Sequence, residues 1–196
     1  MPCHARGPDT TATPAGPSTM AGLAVMTEPA ATNNPTPTSP LPANAVAVTR
    51  AAAELGLDIA VVSYPGGTRT ALEAAAAIGC DVAQIVKSLI FLVDDALTLA
   101  LVSGANQLDE KKLAAAAGGR RTTRANADQV REGTGFPIGG VPPFGHRQTL
   151  TVFIDPDLLV FAEVWAAAGT PHTVFGVSPQ ALLQATGAQP VALKRG

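Results

Sequence analysis

Aromatic side chains are scarce in this sequence, at 4% of 196 residues, and charged ones reach only 14%. The formal net charge is -2. A protein that coats nucleic acid carries a strong basic excess, and this balance excludes that class. Any contact with a polyanion has to be local or shared with a partner. Cysteine is almost absent, with Cys3 and Cys80 alone. Cys3 sits in a low-complexity stretch, so the pair does not read as a structural disulfide, and Cys80 reads as a small buried hydrophobe. His4, His146 and His172 are scattered, and no Cys/His spacing suits zinc, so the sequence predicts neither metal nor cofactor. No apolar run is long and pure enough to span a bilayer. No basic start followed by an apolar segment marks a secretory leader, which makes the cytoplasm the expected location. The spacings of the Walker loop, the dinucleotide fingerprint and the serine nucleophile elbow are also missing.

What is present divides near residue 43. Nine of the 17 prolines precede it, at positions 2, 8, 14, 17, 29, 35, 37, 40 and 42. Arg6, Asp9 and Glu28 are the charged residues there, set among Thr, Ala and Pro without apolar periodicity. Such a segment buries too little surface to offset its ordering entropy. Residues 1–43 are therefore expected to be a disordered tail, and Met20 and Met26 each offer an alternative start. The whole chain is 46% hydrophobic, enough for a core of Ala, Val, Leu and Ile, and from residue 44 the pattern becomes globular.

Within residues 44–196 the punctuation is clear. Asn44 reads as an N-cap for a helix over 45–55, stopped by Gly56. Residues 58–63 read as a strand. A helix over 68–78 is expected between a Thr68 cap and Gly79. Residues 85–93 and 97–103 form a hairpin about Asp94-Asp95. Helices are expected over 109–117 and 126–132, with a short strand over 120–124 between them. A glycine-proline loop spans 133–145. A strand over 150–154 follows, then a hairpin of 161–166 with 172–177. Ser178 and Pro179 open a last helix, and 190–193 offers a final strand. Hairpins mixed with helices predict a single α+β domain with a mixed sheet.

Lys87 breaks the apolar run Ile85–Val93 and shares a face with Ile85, Leu89 and Phe91 if that run is a strand. A lysine is seldom buried without a partner. It either snorkels to water from the strand end or sits in a pocket that uses its charge. The stretch Gly135–Gly145, with Gly139, Gly140, Val141, Pro142 and Pro143 at its centre, combines glycines that admit close approach with prolines that stiffen. It is either a ligand loop or an irregular connection. Arg120, Arg121 and Arg124 form a small basic cluster suited to phosphate or to a solvated face. Tyr64, the sole tyrosine, ends a strand beside Pro65-Gly66-Gly67, placed to line a pocket or to cover a sheet edge. Asp155 and Asp157 flank Pro156 and read as a turn.

Four stretches in this order resemble the YbaK-type aminoacyl-tRNA deacylases, also called the prolyl-tRNA synthetase-associated domain family. They are Val62–Pro65, Gln84–Leu89, Ala105–Leu113 and Thr134–Gly145, and the order and spacing fit across residues 45–193. Each motif alone is weak; the ordered set is fairly specific. The resemblance implies a mixed, partly barrel-like sheet surrounded by helices. It also implies a pocket for an aminoacyl group on the terminal adenosine of transfer RNA. Lys87 falls on the family's key lysine and is the expected catalytic residue. Tyr64, Ser88, Gly139, Gly140, Val141, Pro142, Pro143 and His172 are the expected substrate-binding set. Arg120, Arg121 and Arg124 are expected to hold the acceptor end.

The implied activity is metal-free removal of a small amino acid such as Ala, Cys or Ser from mischarged tRNA, with tRNA(Pro) the expected carrier. A synthetase or elongation factor is a conceivable partner. One departure stands out: Ala168–Phe175 replaces a Gly-Gly turn followed by an aspartate, which leaves the substrate and any acidic helper open. The competing readings are a non-catalytic aminoacyl- or nucleotide-binding module of the same fold, and an interaction protein that acts through its tail.

Overall fold

The computed structural model describes residues 40–64 and 70–196, which form one α+β domain. The proline-rich stretch before residue 40, the Pro65-Gly66-Gly67 turn and Thr68 lie outside them. Helix α1 spans Ala43–Glu54, and strand β1 spans Val61–Ser63. Helix α2 is Ala71–Ile78. The central hairpin is β2, Val86–Val93, with β3, Ala96–Ser103. Helix α3 (Glu110–Ala116), strand β4 (Thr122–Arg124), helix α4 (Ala127–Thr134) and strand β5 (Thr151–Ile154) follow. The chain closes with β6 (Val164–Ala167), β7 (Thr173–Val177), α5 (Pro179–Thr186) and β8 (Gln189–Pro190).

Among the described residues these strands form two sheets. One has the order β1-β7-β6 and is antiparallel throughout; the other is mixed, with the order β4-β2-β3-β5-β8. An isolated parallel bridge, Ile85 to Trp165, links β2's entrance to β6. The sheets thus curve together at one margin without closing into a barrel. Val86, Ile90, Leu99, Leu101, Val164, Ala166 and Phe175 fill the space they share, with α1 and α5 adding Val48 and Leu182. The opposite face of the β2–β3 hairpin is covered by α3, where Leu113 packs with Phe91, Val102 and Phe153.

Local sequence explains most boundaries. Asp94 and Asp95 both take positive φ, 46° and 72°, as a two-residue hairpin turn of the right twist requires. Asn126 and Ser178 cap α4 and α5 through side-chain oxygens, and Gly79 and Gly135 end α2 and α4 in the left-handed region.

Several boundaries differ from the sequence reading: the strands expected over 58–63, 120–124 and 161–166 are Val61–Ser63, Thr122–Arg124 and Val164–Ala167, and three further differences have a visible cause. Asn44 does not cap α1. The cap position is Pro42, whose carbonyl accepts from Ala45 and Val46, while Asn44 Nδ2 donates to Gly169 O at 3.2 Å. A long-range tie has displaced the local cap. The cap seen for α2 is Thr70, in a reciprocal box with Glu73. The last strand is Gln189–Pro190, since register with Phe153 and Ile154 ends there.

Candidate active site

Strand β2 has two unlike edges. Along one, every residue from Val86 to Val93 is matched to β3. Gly104 N–H donates to Ile85 O at 2.7 Å in the same register. Antiparallel alternation then gives residues 85, 87, 89, 91 and 93 to β3 and turns the main-chain groups of 86, 88, 90 and 92 to the other edge. There β4 covers residues 91–93, and Ala125 N–H reaches Ile90 O at 3.3 Å. At the far end Trp165 bridges Ile85. Between these two, the edge at Ser88 has no described strand against it.

A cavity of about 350 Å³ occupies this gap. Ile85 to Ile90 form its base, and α2 contributes Ala71 and Ala74 beside Thr70. Strand β6 supplies Trp165, Ala166 and Ala167. The glycine-proline loop adds Ile138, Gly139 and Val141, and Thr170 to Val174 add Thr170, Pro171, Thr173 and Val174. Arg124, Ala125 and Val130 complete it. The wall is mostly apolar, with Thr70, Lys87, Ser88, Arg124, Thr170 and Thr173 as its polar side chains.

Two of those polar groups come from successive residues on opposite faces of β2. Ser88 faces the shared core, and its Oγ is buried without a hydrogen-bond partner among the described residues. An unpaired buried hydroxyl is costly, so its persistence calls for a reason. Lys87, on the other face, is partly buried. Its ammonium donates to Gly104 O at 3.2 Å and to Asn106 O, and it forms no ion pair among the described residues. Burial pushes this ammonium below the ordinary lysine range, and the Asp155 charge offsets part of that shift. Lys87 thus sits partly buried at the strand end, its ammonium held by two main-chain carbonyls.

The glycine-proline loop is shaped by its neighbours. Gly140 N–H donates to Pro137 O at 2.9 Å, closing a turn with Gly139 at φ 84°. A Cβ on Gly140 would lie 2.7 Å from Thr170 Cα and 2.8 Å from Thr170 N, so this contact between two cavity-wall segments requires glycine. Pro142 and Pro143 are buried behind the wall, and Pro142 O pairs with His146 Nε2 at 2.8 Å.

Of the residues expected from sequence, Lys87, Ser88, Gly139, Val141 and Arg124 meet at the cavity. Gly140, Pro142 and Pro143 support it from behind. Tyr64 and His172 are outside the lining and joined to each other, Tyr64 N–H donating to His172 O at 2.8 Å, with the His172 side chain exposed. Arg120 and Arg121 stand elsewhere. Their main-chain N–H groups donate to Asp94 at 2.8 and 2.9 Å, and the Arg121 side chain pairs with Asp95 at 3.5 Å. They stabilise the hairpin turn. Sequence reasoning missed Trp165, Ala166 and Ala167, which approach β2 only through tertiary pairing. It also missed Asn106, although that residue lies in one of the four family-like stretches.

The described residues form one α+β domain with a mostly apolar cavity at an open strand edge. Residues 66–185 match the model of the aminoacyl-tRNA editing domain, and the chain belongs to that family. A solved structure called "Crystal structure of a putative trans-editing enzyme for prolyl tRNA synthetase" is 47% identical, with a TM-score of 0.77, over 80% of this chain and 100% of that one. Protein YwhH of Bacillus subtilis, itself uncharacterised, is 31% identical over 62% of this chain and 78% of its own length. The proline–tRNA ligase of Maridesulfovibrio salexigens is 34% identical over 55% of this chain but 18% of the ligase, so the similarity covers a small part of that larger enzyme. No helix among the described residues is long and apolar enough to cross a membrane.

Proposed function

We propose that this protein is a trans-acting deacylase that hydrolyses a small amino acid from mischarged tRNA, with tRNA(Pro) as carrier. The observation that carries this reading is the 350 Å³ cavity at the open edge of β2, walled by Ala71, Ala74, Ala125, Ala166 and Ala167 and bordered by Lys87. Membership of the editing family and the proline-specific names of its relatives support it.

The bond to be cut is an activated ester, so positioning and charge stabilisation suffice. The aminoacyl group enters the alanine-lined cavity. Lys87 places positive charge beside the ester, and its attraction strengthens as the carbonyl oxygen becomes an oxyanion. Water adds to the carbonyl carbon, the bond to the ribose oxygen breaks, and the ribose oxygen departs with a proton, giving free amino acid and tRNA. A substrate hydroxyl or thiol is the alternative nucleophile: it expels the ribose oxygen, which takes the proton, and leaves a cyclic ester or thioester that water then opens to the free amino acid. Arg124, exposed at the cavity margin, is the basic residue we assign to a phosphate of the acceptor end.

Alanine, cysteine and serine are the candidate side chains. One methylene in such a pocket is worth about 1–3 kcal/mol, so discrimination rests on size plus few polar contacts. The test is release of radiolabelled amino acid from alanyl-, cysteinyl- and seryl-tRNA(Pro), with prolyl-tRNA(Pro) as the correctly charged control. Release of one or more small amino acids, lost in Lys87→Ala, is expected. A folded wild-type protein that releases none of them would leave the non-catalytic binding module as the better account.

A further inference from the structure

Asp155 is among the most buried polar residues of the domain, at 1% exposure, yet it lies outside the cavity lining. Its carboxylate accepts from Ser103 N–H at 3.3 Å and from the Asn106 side-chain amide at 2.7 Å. Its other oxygen caps the short turn at Pro156–Leu158 by accepting from Asp157 N–H at 3.1 Å. Both residues it grips from β3 and beyond flank the same short turn, Ser103 to Asn106. That turn supplies the two carbonyls, Gly104 O and Asn106 O, that hold the Lys87 ammonium. The Asn106 amide is fixed at a second point by Asp157 Oδ2 at 2.9 Å, and Asp157 in turn pairs with Lys194 at 2.7 Å.

The geometry assigns Asp155 as a positioning residue for Lys87, acting through the Ser103–Asn106 turn rather than by touching substrate. This rests on the proposed role of Lys87 and extends it to a residue 68 positions away in sequence. A carboxylate suits the position for two physical reasons. It can accept several N–H groups at once, which locks the turn in one conformation. Its charge also acts over one further layer on an ammonium that burial would otherwise push toward the neutral amine. Asp155 is the charged group that faces Lys87. Asp157 reaches the same Asn106 amide, and its charge is offset by its ion pair with Lys194.

The test uses the full chain as wild type, Asp155→Asn, Asn106→Ala and Lys87→Ala. Asparagine retains the capping oxygen at 155, removes the charge, and turns its NH2 toward the Ser103 N–H and Asn106 amide that the second carboxylate oxygen accepts, so it also loosens the turn. The Lys87 ammonium is titrated directly by NMR of 13C-labelled lysine, its signal identified by its loss in Lys87→Ala. Deacylation is followed from about pH 6 to 9 after subtraction of spontaneous hydrolysis. In Asp155→Asn the Lys87 titration and the alkaline limb of activity are expected to move down together. A merely structural residue would lower activity evenly at every pH and leave the titration in place; that result overturns the assignment. Asn106→Ala keeps both carbonyls but loosens the turn, and is expected to lower kcat about tenfold with KM little changed. If Asp155→Asn does not fold, unchanged kcat in Asn106→Ala overturns the assignment instead. If Lys87→Ala remains active, the reading of Lys87 itself is wrong, and that outcome is distinguishable because the NMR titration does not depend on activity.

Discussion

The two edges of β2 are built from the same eight residues and do opposite things. Toward β3 the pairing is unbroken and the side chains beyond it are fully buried: Leu99, Ala100, Leu101 and Val102 are all at 0% exposure. Toward β4 and β6 the pairing stops short, leaving the main chain of Ser88 facing a cavity and a buried hydroxyl without a partner. The closed edge is where the strand contributes to stability. At the open edge, polar groups remain available to a ligand. Mutations on the two sides should therefore separate folding from activity.

The largest effect is expected from Lys87→Ala. Loss of one well-placed donor to a developing oxyanion costs about 10²–10³-fold in rate, and deacylation per folded molecule should fall by that factor while thermal unfolding stays cooperative. Next is Leu113→Ala on the α3 side. It should lower stability by about 2–5 kcal/mol in denaturant titration and leave kcat of the remaining folded protein close to wild type. Substantial loss of kcat there would tie the α3-covered face of the hairpin to activity as well as to stability. Gly140→Ala should act on both counts, because its Cβ meets the Thr170 main chain; we expect about 1–3 kcal/mol of destabilisation together with weaker substrate binding, read as a raised KM.

Ser88→Ala removes an unpaired buried hydroxyl and should leave stability equal to wild type or higher by up to about 1 kcal/mol, while raising KM. A loss of stability would mean that the hydroxyl serves the fold. The smallest effect concerns His146 behind the loop wall. Burial pushes its imidazole below the ordinary value of 6.5. Between the folded and unfolded values the unfolded chain binds the extra proton, so stability is greatest above 6.5 and declines as pH falls through that value. The melting temperature of wild type should drop more between about pH 7.5 and 5.5 than that of His146→Gln.

Short-range signals in the sequence were readable because they act within a few residues. The β2–β3 hairpin was legible from an apolar run interrupted by Asp94-Asp95, and Asn126, Ser178 and Gly79 announce helix ends through chemistry confined to one turn. Lys87 stood out because a lysine within Ile85–Val93 is costly unless used. Long-range relations were not readable. The Asn106–Asp155 bond spans 49 residues, and the aspartate's local role as a turn cap was all that the Asp-Pro-Asp pattern revealed. Asn44 was misread for the same reason, since its partner Gly169 lies 125 residues away. The arginine cluster looked like one phosphate site, but Arg120 and Arg121 are drawn to Asp94 and Asp95 across the sheet, leaving Arg124 alone at the cavity.

The central claim is that the aminoacyl end of tRNA binds at the open edge of β2. It is tested most directly by titrating 15N-labelled protein with a non-hydrolysable alanyl-adenosine analogue, its ester replaced by an amide. The account predicts that amide shifts concentrate at Lys87, Ser88, Gly139, Val141 and Ala167. Shifts concentrated instead at the Asp94–Asp95 turn and Arg120–Arg121, with β2 residues 86–90 unmoved, would contradict it.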